Sequence, residues 1–233
     1  YECEVYLNGK LVCEHSNLFE PFEVDITGML NCCNNFIAVV IKQAPEEEMQ
    51  LGRTTKTRTQ KPRFSYKWDF CSRLVNIGIW DEVVLDITRL AYIDNIFVKS
   101  LEDNSGFDVS VDAKSICYCN IYANIEVLQD GVLHAEEKML LDRDGSQNLN
   151  GLHIKNPKLW NPSGHGEQNL YDIRIVLYCD ETESDYISIR SGIRTAKFVS
   201  NENASKNSLM YTLIVNGKKI YMKGVNWVPA EHL

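Results

Sequence analysis

The sequence predicts an all-β protein of two domains, on three observations. Apolar and polar residues alternate with period two in several runs, as half-buried strands require. Turn dipeptides stand between the apolar runs. The 233 residues exceed the usual size of a single core.

Taken in order, the chain opens in a strand-like run, Glu4-Val5-Tyr6-Leu7, followed by Asn8-Gly9, a pair suited to a two-residue hairpin loop. Pro45 to Leu51 is the one expected helix, because Pro fits a first-turn position and three Glu favour the positive end of the helix dipole. Phe107, Val109 and Val111 then alternate with Asp108, Ser110 and Asp112. Ile121, Ala123, Ile125 and Val127 alternate with Tyr122, Asn124 and Glu126, and Asp130-Gly131 follows as a hairpin loop. Asp144-Gly145 reads as another such loop. Tyr171, Ile173, Ile175 and Leu177 form a further strand pattern, and Asn216-Gly217 a last turn. These runs divide into a first domain over 1–89, lacking its opening strands, and a second over 90–200. The polar stretch Asn201 to Ser208 reads as a linker, and 201–233 as the start of a third unit. Both ends read as cut, since the chain opens inside a strand and stops just after Trp227-Val228-Pro229.

Composition removes several function classes. A formal charge of −8 disfavours nucleic acid as a partner. The one basic stretch, Arg53 to Arg73, holds seven basic residues and one acid, and reads as a solvated loop docking on an acidic neighbouring domain. No apolar run approaches the roughly 20 residues of a spanning helix, so no membrane partner is expected. The eight cysteines include no C-x-x-C pair and no His at zinc spacing, so no metal site is expected. They read as reduced thiols of a cytoplasmic protein, with the neighbours Cys32 and Cys33 not bridging each other.

Three groups of motifs, in order, carry a family resemblance. Tyr6-Leu7-Asn8-Gly9-Lys10 with Pro21-Phe22-Glu23-Val24-Asp25-Ile26 resembles the sugar-binding domain of family-two glycosidases. Lys61 to Phe70, running Lys-Pro-Arg-Phe-Ser-Tyr-Lys-Trp-Asp-Phe, with Gly78-Ile79-Trp80, resembles the β-mannosidase pattern that ends in Gly-Trp-Asp-Trp. Asn156 to Pro162, Gly164 to Gln168 and Leu170-Tyr171 resemble that family's immunoglobulin-like domain. Val215 to Ala230 is similar to the strand opening its catalytic barrel.

The resemblance implies a jelly-roll-like sugar-binding sandwich, an immunoglobulin-like sandwich and the first strand of a missing (β/α)₈ barrel. It implies a non-catalytic piece of a retaining enzyme acting on terminal β-mannosidic bonds, with a β-linked oligosaccharide and its own barrel as partners. Retaining glycosidases use two carboxyl groups, and in this family both come from later barrel strands, so no catalytic residue is expected here. Trp68 and Asp69 are the leading substrate-binding candidates: an indole face stacks on the apolar face of a sugar, and a carboxylate accepts its hydroxyl hydrogen bonds. The competing reading makes Trp68 a core or domain-interface tryptophan and Asp69 a turn cap. Asn226 and Trp227 are candidates at the end of the first barrel strand. Lys67 stands where the family has Gly, and Phe70 where it has a second Trp, which leaves the shape of this loop open. Another family-two activity, β-galactosidase or β-glucuronidase, and a stand-alone carbohydrate-binding module are the alternatives. Trp160, Tyr171 and the Gly164 to Gly166 turn are expected to hold a sandwich corner.

Overall fold

The computed structural model describes residues 1–47, 59–116, 118–142, 144–208 and 210–227. Strand is the dominant regular structure, and the described residues fall into two units, one within 1–84 together with 225–227, the other within 85–224.

In the first unit, β1 (Glu2–Leu7) sits between β2 (Lys10–Ser16) and β3 (Ile37–Ile41) in an antiparallel sheet. Asn8 and Gly9 both take positive φ, 50° and 80°, which closes the β1–β2 hairpin with the twist that adjacent strands need. Strand β3 forms one edge and leaves Ile37, Val39 and Val40 exposed. Gln43 to Glu47 carry no helix, which corrects the expectation at its first residues; 48–51 lie outside the described residues.

The second unit is a sandwich. One sheet has the order β10-β9-β6-β7, from Thr182–Ser191, Tyr171–Cys179, Ile121–Gln129 and Val132–Leu141. The other has the order β4-β5-β8, from Ala91–Ser100, Gly106–Ser115 and Asp144–His153. The alternating residues Phe107, Val109 and Val111 meet Ile121, Ile125, Ile173, Ile175 and Leu177 in one core, each at most 1% exposed. Each such side chain stabilises the fold by about 1.5–3 kcal/mol. Asp130-Gly131 closes β6–β7 with both φ positive. Asp144-Gly145 is not a loop, because both residues lie in β8, opposite Lys114 and Ala113. Here the chain passes from the β7 sheet to the β8 sheet, so the dipeptide follows a change of sheet rather than a hairpin.

A bulge in β10 between Glu183 and Asp185 turns Ser184 toward β4. Its hydroxyl donates to the Ala91 carbonyl (2.6 Å) and accepts from the Ala91 N–H (2.9 Å). A third sheet, β11-β12-β13, is formed by Ala196–Ser200, Tyr211–Val215 and Lys218–Ile220, with Asn216-Gly217 as its I′-like turn.

Cys119 and Cys179 form a disulfide across 60 residues of sequence, which corrects the expectation of reduced thiols throughout and removes the ground for a reducing compartment. Cys3, Cys13, Cys32, Cys33 and Cys71 are free, and the Cys32 and Cys33 sulfurs stand 3.8 Å apart without a bond. No helix among the described residues is long and apolar enough to cross a membrane.

Candidate functional site

The site is assembled in the first unit from the stretch that carries the Trp-Asp pair. Lys61 enters it buried, 4% exposed, with its ammonium donating to the Asn76 carbonyl (2.7 Å) and to Asn76 Oδ1 (3.1 Å). Burial lowers the pKa of this ammonium. Pro62 then leads into a 3-10 turn, Arg63–Tyr66.

Tyr66 is the anchor. Its ring is 1% exposed and its phenol donates to the Pro45 carbonyl (2.8 Å). Burial raises the phenol pKa, and Glu47 adds to the rise. Two guanidinium groups lie over this one ring, Arg63 at 5.3 Å and Arg73 at 5.2 Å from its centroid. Arg63 pairs with Glu47 (3.1 Å) and donates to Thr59 Oγ1 (3.1 Å). Arg73 pairs with Glu46 (2.9 Å) and donates to the Glu47 carbonyl (3.0 Å). The basic stretch is therefore not a solvated loop at these positions: Lys61, Arg63 and Arg73 are engaged within their own unit. Arg53 to Arg58 lie outside the described residues.

Beyond Tyr66 the chain makes a tight tip. Lys67 takes φ 107° and ψ 138°, a region that glycine adopts freely and a residue with a Cβ rarely does, in keeping with the glycine of the family motif. Trp68 N–H donates to the Cys71 carbonyl (3.2 Å), the Cys71 thiol to the Phe64 carbonyl (3.0 Å), and Leu74 N–H to the Ser65 carbonyl (2.9 Å). These bonds hold Trp68 and Asp69 at the apex. Trp68 is half-buried and its ring lies 6.3 Å from that of Phe70, tilted by 49°. Asp69 is exposed. Among the described residues neither the Trp68 indole N–H nor the Asp69 carboxylate makes a hydrogen bond, so Asp69 caps no turn. An apolar ring face beside an unengaged acceptor is what a sugar ring with its hydroxyls requires. A cleft of ≈ 520 Å³ lies on the Glu46–Arg73 side of the anchor, lined also by Gln43, Ala44, Val75 and Ile77.

Asn226 and Trp227 are exposed, Trp227 to 81%, in a stretch without regular structure. No hydrogen bond or ring contact among the described residues joins them to Trp68 or Asp69. In the second unit Trp160 and its surroundings form a corner. Trp160 bridges to Gln168, its N–H donates to the Ile193 carbonyl, and its own carbonyl accepts from the Asn216 amide (2.9 Å). The Arg194 guanidinium lies 5.0 Å from the Trp160 ring centroid. The Tyr171 hydroxyl accepts from Lys158 N–H (2.8 Å). Among the described residues no three His, Cys, Asp or Glu side chains converge on a metal position.

Glu46 and Glu47 escaped the sequence reading as site residues, as did the roles of Arg63, Tyr66 and Arg73. Their contacts span up to 27 positions, and no local spacing announces a pairing between segments that far apart.

The chain is similar to known proteins over nearly its whole length. Residues 1–81 match the glycosyl hydrolase 2 galactose-binding domain-like family, and residues 91–194 match glycosyl hydrolases family 2. A β-mannosidase B of Thermothelomyces thermophilus is 26% identical over 98% of the chain and 28% of its own length. That of Emericella nidulans is 28% identical over 99% of the chain and 29% of its length. A crystal structure of a β-D-mannosidase from Dictyoglomus thermophilum superposes with a TM-score of 0.78 at 25% identity, over 99% of this chain and 30% of that one. The chain thus spans less than a third of the relatives it matches. Its two units carry the galactose-binding-like domain and the β-sandwich domain of glycosyl hydrolase family 2.

Proposed function

We propose that this chain supplies the non-catalytic sandwich domains of a retaining β-mannosidase, and that Trp68 and Asp69 form one wall of its sugar subsite. The observation that carries the reading is the Trp-Asp apex, held from below by the Tyr66 anchor while its indole N–H and carboxylate remain unengaged. The β-mannosidases among the relatives support the choice of sugar. Bond cleavage with retention needs a nucleophile and an acid/base carboxyl about 5–5.5 Å apart. Both groups belong to the remainder of the enzyme, a (β/α)₈ barrel, and the chain alone is inactive. Asn226 and Trp227 join the subsite where that barrel begins. No cofactor takes part in this chemistry.

The test is hydrolysis of aryl β-mannoside, β-galactoside and β-glucuronide by the full-length protein and by its Trp68→Ala and Asp69→Ala variants. Cleavage confined to the mannoside, with both variants folded and at least tenfold slower, is the expected result. Preference for another glycoside, with the variants as active as the parent, overturns it.

A further inference from the structure

The Tyr66 anchor has more machinery than a surface turn needs. Its ring carries two guanidinium groups, each with its own carboxylate, Glu47 for Arg63 and Glu46 for Arg73. The two arginines stand on opposite sides of the apex in sequence, Arg63 before Trp68 and Arg73 after Asp69. Both converge on the adjacent pair Glu46-Glu47, and Tyr66 itself reaches Pro45, the residue before that pair. The two stems of the turn are thereby pinned to one short stretch of chain. The strained residue, Lys67, sits directly between the pinned stem and Trp68. A backbone in such a region persists only where its surroundings over-determine it.

Stability alone is a poor account of this arrangement. The Arg63–Glu47 pair is partly buried, so the cost of desolvating it offsets most of the attraction, and the exposed Arg73–Glu46 pair is screened by solvent, so neither returns much net free energy. What paired charges and forked guanidinium groups add is a single defined geometry. We propose that Arg63, Tyr66 and Arg73 are positioning residues: their stack fixes the direction in which the apex presents the Trp68 ring and the Asp69 carboxylate to a sugar. This inference rests on the reading that Trp68 and Asp69 meet the substrate.

A double-mutant cycle on the full-length protein tests it, with kcat/KM for an aryl β-mannoside as the readout and the thermal midpoint as a check of folding. Tyr66→Leu and Arg73→Ala are each made in the parent and in a Trp68→Ala/Asp69→Ala background. A displaced contact costs on the order of tenfold or more in rate. The expected result is a loss of about tenfold or more in the parent and no further loss in the doubly substituted background, since the stack then has nothing left to position. Arg73→Lys keeps the charge but loses the fork between Glu46 and the Glu47 carbonyl; it gives the same pattern at smaller amplitude and remains informative if the harsher variants do not fold. Equal losses in both backgrounds overturn the proposal, because they mark a general structural role. No loss in the parent also overturns it, while a crippled Trp68→Ala variant in the same experiment leaves the subsite reading standing. Full activity of Trp68→Ala and Asp69→Ala removes the subsite reading and this inference together.

Discussion

At Lys67 the backbone holds a conformation that an L side chain rarely adopts, φ 107°. Such a residue stores about 1–3 kcal/mol of strain. Glycine would release that strain while adding unfolded-state entropy worth about 0.4–1 kcal/mol. Lys67→Gly is therefore expected to raise the unfolding free energy by roughly 1 kcal/mol, read from urea titrations; an unchanged or lower midpoint means the strain is not there. The family motif placed a glycine at this position, so the departure was legible in sequence, but its backbone cost was not. Lys61 makes a second residue-scale case. Its folded-state pKa lies below the unfolded value, near 10.4. In the alkaline window beneath that value the unfolded chain binds more protons than the folded one, so the stability owed to Lys61 rises with pH there. Urea stabilities of the parent chain and Lys61→Met, compared from pH 7 to 10, should show their difference shifting in favour of the parent as pH increases. Parallel curves would mean that the ammonium is not held at a penalty.

At the scale of single elements, the alternation of apolar residues marked β5, β6 and β9 correctly, because a strand with one face in a core must repeat every two residues. Asn8-Gly9, Asp130-Gly131 and Asn216-Gly217 were readable for an equally local reason, the positive φ of both turn residues. Asp144-Gly145 has the same composition and no turn, since long-range pairing with β5 overrides it. The β9–β10 connection, Asp180-Glu181, is a tight hairpin with no glycine to announce it. Nor does any local pattern reveal that β5 and β8 approach so closely at Gly106. A Cβ there would stand within covalent-scale reach of the Leu152 carbonyl oxygen. Gly106→Ala must part the two strands, and overpacking of this kind costs about 1–3 kcal/mol, with backbone clashes at the upper end. A fall in thermal midpoint, with hydrogen exchange quickening first along Gly106–Ser115 and Asp144–His153, is the expected signature. A wild-type midpoint would show that the sheet absorbs the methyl group freely.

At the scale of the whole molecule, the class of architecture and the candidate apex were legible, whereas the cross-links that stiffen each unit were not. Cysteine spacing said nothing of the Cys119–Cys179 bond, because Cys119 lies two residues before β6 and Cys179 ends β9, strands brought together only by the sheet. Closing a loop of 60 residues is worth about 4 kcal/mol through the unfolded chain. Cys179→Ala, or reduction under mild denaturant, should lower the midpoint of the second unit accordingly, and non-reducing peptide mapping should recover Cys119 and Cys179 on one linked peptide. Recovery of both as free thiols would rule the bond out. The first unit has a different exposure to its surroundings. Strand β3 ends the sheet with Ile37, Val39 and Val40 open to solvent, and a row of unpaired amides and apolar side chains on an edge is a template for another copy of itself. Left uncovered, such an edge favours pairing between copies of the chain, so protein concentration, more than temperature, is expected to decide when it associates.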